Sequence, residues 1–152
     1  LLHPHSLRFV NENGVINLYF QCNDRGFVVE NISSDLTLGS ARACDIKYSE
    51  AKVALPESNV DLSNYTATDA INWRDGILYI AYETIDSHII HRFLYVEDGR
   101  LFVSRPIVLG HRMETCTGIC VIGDNIVCAM ESQEVSMLIA VPEPLLFQIL
   151  SV

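Results

Sequence analysis

The stretch that most constrains the fold of this chain is residues 71–82, which read INWRDGILYIAY. An Asp-Gly pair separates two apolar runs, and such a pair supplies the positive φ angles that a tight β-hairpin turn requires. The second run is apolar at nearly every position. Because successive side chains of a strand point to opposite faces, the sequence predicts a strand whose two faces are both covered by other parts of the protein.

Hairpin signals recur along the chain. Three further turn sequences precede apolar runs: Asn13-Gly14, Asp98-Gly99 and Gly123-Asp124-Asn125. With Asp75-Gly76 they predict an antiparallel, all-β chain. A parallel α/β sheet would also contain strands that are apolar on both faces, but it needs crossover helices of a dozen or more residues, and the sequence shows no such helices.

The strand pattern repeats about every 43 residues, which is close to the length of a β-propeller blade. The approximate units are residues 5–55, 67–110 and 111–152, and the last strand of the third unit is predicted in LLFQILSV, residues 145–152. Residues 56–69 are polar and begin with Pro56, so they predict an exposed loop between units. Residues 40–55 are compatible with a short helix or with two strands, and we favour strands.

A partial propeller of four-stranded, blade-like sheets explains the apolar strands, because blades pack face to face. A β-sandwich or barrel is the alternative, although its strands would alternate between apolar and polar side chains. Three units are fewer than the 4 to 8 blades of a closed propeller, so the terminal sheets should expose apolar faces. The expected partner is another protein chain, the remaining part of a larger propeller, or a second copy of this chain.

Residues 109–141 read LGHRMETCTGICVIGDNIVCAMESQEVSMLIAV, with Gly110-His111 ahead of a strand, a turn, a second strand and a final apolar strand. This stretch resembles a blade of the WD-repeat family, in which a Gly-His pair stands at that place. It departs from the family where Ala140-Val141 replace the Trp-Asp dipeptide and where ESQE replaces a turn that contains Asp. The resemblance implies a degenerate propeller of the kind found in scaffold and multi-subunit proteins, with His111 lacking its usual Asp partner.

Composition excludes several classes of function. The net charge is −9 and the lysines are Lys47 and Lys52 alone, so a nucleic-acid footprint of clustered basic residues is not expected. No apolar run approaches the ~20 residues of a membrane-spanning helix. The chain begins without Met and without a signal-peptide pattern, and we interpret it as a fragment or a processed product.

Cysteines and glycosylation motifs point to different compartments. The chain has five cysteines, an odd number that cannot be fully paired within one chain, which favours a reducing, intracellular location over secretion. Two Asn-X-Ser/Thr triplets, at Asn31 and Asn64, are typical of secreted proteins instead.

Three of the cysteines lie close together in the sequence. Cys116 and Cys120 are four residues apart and should share one face of a strand. A three-residue loop at 123–125 would place Cys128 opposite Cys120, whereas a two-residue loop would place them on opposite faces. With His111, these thiols are the candidate zinc ligands, and buried free thiols or a disulfide are the alternatives. We favour buried thiols and predict no metal or other cofactor.

Aromatic residues cluster in the second unit. Trp73 is the sole tryptophan, and Tyr79, Tyr82 and Tyr95 follow it along the predicted strands. They are the candidate binding residues, because aromatic side chains often anchor interfaces. Aromatic residues in strands also fill cores, and their exposure distinguishes the two roles.

No catalytic motif is present. The sequence lacks a nucleophile elbow, a phosphate-binding loop, a dinucleotide fingerprint and a zinc-protease motif. Four carboxylates near loops, Glu83, Asp86, Glu97 and Asp98, are the candidates for glycoside hydrolysis. The sequence therefore predicts a noncatalytic protein-interaction scaffold. The alternative is a secreted or cell-surface carbohydrate-active enzyme or carbohydrate-binding module.

Overall fold

The computed structural model describes residues 4–45, 55–108, 115–133 and 135–151. These residues form three antiparallel sheets and one short helix, which confirms the predicted all-β class. The first sheet, sheet 1, contains four strands in sequence order: β1 His5–Glu12, β2 Val15–Cys22, β3 Arg25–Val29 and β4 Ala41–Cys44. Each strand pairs with the next in the chain, so sheet 1 is a simple meander.

The second and third sheets are meanders as well. Sheet 2 contains β5 Thr66–Trp73, β6 Gly76–Ile85, β7 His88–Glu97 and β8 Arg100–Ser104. Sheet 3 contains β9 Thr115–Ile122, β10 Asn125–Glu131 and β11 Ser136–Pro142. After sheet 3, helix α1 Glu143–Ile149 leads to a two-residue strand, β12 Leu150–Ser151. This last strand pairs with β8 and therefore returns the chain to sheet 2.

Turn chemistry explains most of the hairpins. Asn13, Gly14, Asp98 and Gly99 all have positive φ angles, as the Asn-Gly and Asp-Gly signals predict. Two hairpins that the sequence analysis did not predict turn at Asn23-Asp24 and Asp86-Ser87, where all four residues again have positive φ. Asn and Asp tolerate this region better than most residues, so these turns form without glycine.

The turn predicted at Asp75-Gly76 begins one residue earlier in the chain. The turn is formed by Arg74 and Asp75, and Gly76 is already the first residue of β6. A Cβ atom on Gly76 would lie 2.2 Å from the carbonyl oxygen of Val96. Glycine is therefore required here because the neighbouring strand lies too close for a side chain.

Sheet 3 lies between the other two sheets. One core cluster joins sheet 2 to sheet 3, and its members include Leu78, Ile80, Phe93, Ile126, Cys128 and Met130. A second cluster joins sheet 1 to the opposite face of sheet 3, and its members include Phe9, Leu18, Val29, Val127 and Ala129. Both faces of sheet 3 are buried, which explains why β9, β10 and β11 show no apolar and polar alternation.

The outer face of sheet 2 is covered by the segment that precedes it. Tyr79, Ala81 and Leu94 pack there against Val60 and Leu62. The expectation that the terminal sheets expose apolar faces is therefore wrong for sheet 2. Residues 56–65 form the irregular connection, β5 begins at Thr66, and the connection acts as a cover as well as a linker.

The outer face of sheet 1 also buries its large side chains. Tyr19 and Val28 lie opposite each other on that face and are 8% and 0% exposed. In the ambiguous stretch at 40–55, Ala41–Cys44 is a strand, as favoured from the sequence. Residues 46–54 lie outside the described residues.

The predicted last strand in residues 145–152 is mostly a helix. Pro144 stands in the first turn of α1, where its missing N–H costs no hydrogen bond, and Glu143 places a negative charge near the helix N-terminus. Leu146 is fully buried, and Ile149 packs against the same cluster three residues later. This helical spacing was concealed by an apolar composition that also suits a strand.

Candidate binding site between two sheets

The interface between sheets 1 and 3 contains an open cavity of about 460 Å³. We call this interface the open seam. Leu18, Phe20 and Leu36 line the cavity on the side of sheet 1, and Leu138 and Ala140 of β11 line it on the side of sheet 3. The cavity therefore lies beside the outer strand of sheet 3.

The lining of this cavity is almost entirely apolar. Its one polar side chain is Ser136, whose hydroxyl donates a hydrogen bond of 2.6 Å to the carbonyl oxygen of Pro4. At the mouth, Leu38 is 47% exposed, which is unusual for a large apolar side chain. The described residues that line the cavity include no titratable group to move a proton, so their chemistry is that of binding apolar groups.

Strand β11 has one unpaired edge among the described residues. It pairs with β10 along all seven of its residues, from Ser136 opposite Glu131 to Pro142 opposite Asn125. No other described strand pairs with it. All seven residues are uncharged, and five of them, Met137 to Val141, are apolar. A long, apolar edge with free backbone N–H and C=O groups is a template for another strand.

The surroundings of the open seam are acidic. On the side of sheet 3, Asp124 stands in the turn beside Ser34, and Glu131 accepts a hydrogen bond of 2.9 Å from the N–H of Ser6. Residues 26–40, on the opposite side, contain Glu30 and Asp35 and no basic residue. Hydrogen bonds from Ser33 and Thr37 lower the pKa of Asp35 to about 2, which keeps its carboxylate charged at neutral pH.

The interface between sheets 2 and 3, which we call the closed seam, is sealed at one end by α1. Trp73 donates a hydrogen bond of 2.9 Å to Glu143, and its ring stacks on Phe147 at 5.0 Å between centroids. Arg74 lies 3.1 Å from the second carboxylate oxygen of Glu143 and 4.3 Å from the centre of the Phe147 ring. Trp73 is 4% exposed and acts here as a core residue that attaches the helix to sheet 2.

The structure does not bring the four predicted aromatic residues onto one accessible surface. Tyr95 is buried edge-on against Trp73 in the closed seam. Tyr79 is buried on the other face of sheet 2, where its hydroxyl donates to the carbonyl oxygen of Pro56. Tyr82 is half-buried beside the ring of His91. The sequence left open whether these residues were core or surface, and three of the four occupy the core.

The candidate zinc ligands are divided between two faces of sheet 3. A bulge in β9 near Thr117 changes the sheet face toward which the preceding side chains point. Cys116 therefore lies in the closed seam with Cys128. Cys120 lies in the open seam, on the opposite face. The expectation that Cys116 and Cys120 share a face is therefore wrong.

The turn before β10 has two residues, which corresponds to the alternative that separates Cys120 from Cys128. All five cysteines are free, and burial raises the pKa of Cys120 to about 12. Within the described residues no three His, Cys, Asp or Glu side chains are grouped to hold a metal, and His111 lies outside those residues. The structure places Cys22, Cys116, Cys120 and Cys128 as buried thiols, whereas Cys44 is half-buried.

Asp69 was not singled out by the sequence analysis, yet it links sheets 2 and 3. One of its carboxylate oxygens accepts from the N–H of Ile119 and the other from the N–H of Ala70, both at 2.9 Å. It lines a small cavity of about 220 Å³ between β1, β5 and β9, and burial raises its pKa. The sequence signal was an acidic residue in the middle of a strand.

The four candidate carboxylates are not grouped as a hydrolase would require. Glu83 lies 3.3 Å from Arg92, and Asp86 stands in the turn before β7. Glu97 ends β7 and Asp98 stands in the turn after it. A strand of ten residues separates the two pairs by roughly 30 Å, whereas glycoside hydrolysis needs carboxylates about 5 to 9 Å apart.

No protein-family model, curated protein or solved structure matches this chain. Helix α1 has seven residues, and no helix among the described residues is long and apolar enough to cross a membrane. The open seam and the edge of β11 are the features of the described residues that bear most directly on function.

Proposed function

We propose that this chain is a noncatalytic protein-interaction scaffold, and that its binding site is the open seam together with the unpaired edge of β11. The observation that carries the proposal is an apolar cavity of about 460 Å³ that lies directly beside an uncharged edge strand. A cavity of this kind binds apolar side chains, and a strand edge binds a polypeptide backbone. A protein segment presents both groups at once.

The proposal includes a place in a larger propeller or multi-subunit assembly. Three meander sheets in which β9 contacts both β1 and β5 support this reading, because inner strands of propeller blades converge in a similar way. In a propeller, consecutive blades are neighbours, so the second sheet of three would stand in the middle. Here the middle sheet is sheet 3, with a sheet packed on each of its faces, and this order departs from that of a regular propeller. Of the two settings, the sheet order therefore favours a multi-subunit assembly. A further sheet stacked on sheet 2 would have to displace Val60 and Leu62, so we place the partner at sheet 3.

An intracellular setting is part of the same proposal. The five free cysteines include three with 1–6% exposure in the cores on the two faces of sheet 3, and unpaired thiols in this number are typical of a reducing compartment. Mass spectrometry of the protein from its own cells tests this point. Unmodified Asn31 and Asn64 are expected, and a glycan on either would favour the secreted, carbohydrate-binding alternative.

The experiment that tests the scaffold function is site-specific photo-crosslinking in those cells. A photoreactive residue replaces Ala140, which is exposed at the cavity, and in a second protein it replaces Ile89, which is 48% exposed in β7 of sheet 2. We expect discrete protein adducts from position 140, and we expect that none of the same proteins is crosslinked from position 89. Adducts with lipid or glycan alone, or no adduct from position 140, would contradict the proposed function.

A further inference from the structure

We propose that the free edge of β11 accepts an extended, basic segment of another protein as the fourth strand of sheet 3. The inference rests on the proposed function and specifies both the binding mode and the chemistry of the partner. It begins from a difference between the sheets. Sheets 1 and 2 each have a fourth strand in their meander, β4 and β8, whereas sheet 3 has none among the described residues.

The other outer edges are protected in ways that β11 is not. The outer strand of sheet 1, β4, has four residues and carries Arg42, which pairs with Glu30. The outer strand of sheet 2, β12, has two residues. Short edges and charged side chains are the usual protection against added strands. Strand β11 has seven residues and no charge, and its proline, Pro142, is confined to the last position, so it is the described outer edge best suited to accept a strand.

The cavity would receive alternate side chains of the added strand. In β11, Leu138 and Ala140 line the cavity, whereas Ile139 and Val141 pack against the closed seam. A strand paired with β11 has the same alternation, because its side chains also point to opposite faces every second residue. Its cavity-facing side chains would contact Leu138 and the exposed Leu38. We therefore expect about five to seven residues with an apolar residue at every second position.

Charge decides which kind of chain binds. Of the described residues that border the seam, Asp35, Asp124 and Glu131 are acidic. Glu30 also borders it and is paired with Arg42. A second copy of this chain would bring another net charge of −9 to the same place, and like charges oppose that association. A segment flanked by Lys or Arg would be attracted instead. The occupant is therefore a basic segment of a different protein.

The test uses a fluorescein-labelled peptide of alternating valine and threonine with two lysines at each end, and the full 152-residue chain. Fluorescence anisotropy measures its dissociation constant. One control peptide has glutamates in place of the lysines, and a second carries N-methyl groups on alternate amides so that it cannot pair along one edge. We expect both control peptides to bind at least about tenfold more weakly.

Two matched variants locate the site. Ala140→Arg introduces bulk and positive charge at the cavity, and Ala43→Arg makes the same change at an exposed alanine of β4. We expect Ala140→Arg to weaken peptide binding at least about tenfold and Ala43→Arg to change it less than about twofold. Both alanines are exposed, so unfolding midpoints near that of the wild type are expected and verify that the variants fold.

The inference would be overturned if the lysine-flanked peptide did not bind, or if the N-methylated peptide bound as tightly as the unmodified one. It would also be overturned if the two arginine variants weakened peptide binding equally, or if the chain formed a dimer that the peptide dissociates. If crosslinks from position 140 to another protein persist while the peptide fails, the scaffold function stands and the added strand is wrong. If position 140 gives no protein adduct although the peptide binds, the proposed function is wrong.

Discussion

The two faces of sheet 3 form interfaces of different quality. On the closed seam, Phe93, Tyr95 and Trp73 of sheet 2 meet Ile126, Cys128 and Met130, and Leu146 of α1 fills the end. On the open seam, β10 presents Val127 and Ala129, and no described helix covers the gap, so a cavity of about 460 Å³ remains. One strand therefore supports a filled core on one side and lines an open cavity on the other. Side-chain volume and the position of one helix account for the difference.

The largest expected difference between the seams follows from truncating an aromatic residue in each. Trp73→Ala should cost about 3 to 5 kcal/mol of unfolding free energy, because a large buried ring and its contacts with α1 are lost. Phe20→Ala, on the wall of the cavity, should cost about 1 to 2 kcal/mol, since Phe20 is only half-buried. Denaturant unfolding measures both values. Equal losses would show that the two seams are packed alike.

Enlarging a small side chain should have opposite effects in the two seams. Cys128 is 1% exposed in the closed seam, so Cys128→Leu should overpack it and cost about 1 to 3 kcal/mol. Ala140→Leu should stabilise the chain by about 0.5 to 1 kcal/mol, because it fills part of the cavity. Thermal unfolding of both variants provides the comparison. A destabilised Ala140→Leu chain would mean that the open seam has no free volume beside β11.

The link between β5 and β9 at the closed seam depends on Asp69. Asp69→Ala removes the acceptor for the N–H groups of Ile119 and Ala70 and should cost about 1 to 3 kcal/mol. Because burial raises the pKa of Asp69, the native protein releases its proton at a higher pH than the unfolded chain. Stability from this group therefore falls as pH rises from 3.8 through the native pKa.

Unfolding experiments between pH 3.5 and 7 test this dependence, and the pH range is roughly that in which carboxylates titrate. The difference in unfolding free energy between wild type and Asp69→Ala should shrink as pH rises through that window. A difference that is constant with pH would contradict a raised pKa for Asp69.

The smallest expected effect comes from His91 in sheet 2, outside both seams. His91 is 5% exposed, and burial lowers its pKa below 6.5. The unfolded chain then binds the proton more readily, so stability falls as pH decreases from 6.5 through the native pKa and is constant above 6.5. His91→Gln should reduce this dependence when unfolding is measured at pH values on both sides of the window. An unchanged pH profile would show that His91 titrates alike in both states.

The sequence predicted the hairpins and the covered strands because turn chemistry and side-chain alternation are local properties. Asn13-Gly14 and Asp98-Gly99 turn where expected, and β6 and β10 are covered on both faces. The position of sheet 3 between the other sheets was not predictable in this way. It depends on contacts between residues far apart in the chain, such as Asp69 with Ile119.

The candidate site was predicted least well, for physical reasons that particular residues illustrate. The aromatic residues were singled out for their type, but Trp73 and Tyr95 were used to fill the closed seam. The bulge near Thr117 changed which face Cys116 occupies, and no turn signal indicates such a bulge. Strand β11 was identified as an apolar strand, but a free edge is visible only once its neighbours are known.

The measurement that tests the binding site most directly is residue-resolved hydrogen exchange of β11, with and without the lysine-flanked peptide. In the free chain, alternate amides between Met137 and Val141 should exchange rapidly, whereas the amides of Phe93 and Leu94 in β7, which is paired on both sides, should be protected. With the peptide, the rapidly exchanging amides of β11 should become protected. Protection of every β11 amide in the free chain, or continued rapid exchange with the peptide present, would contradict an edge that accepts a strand.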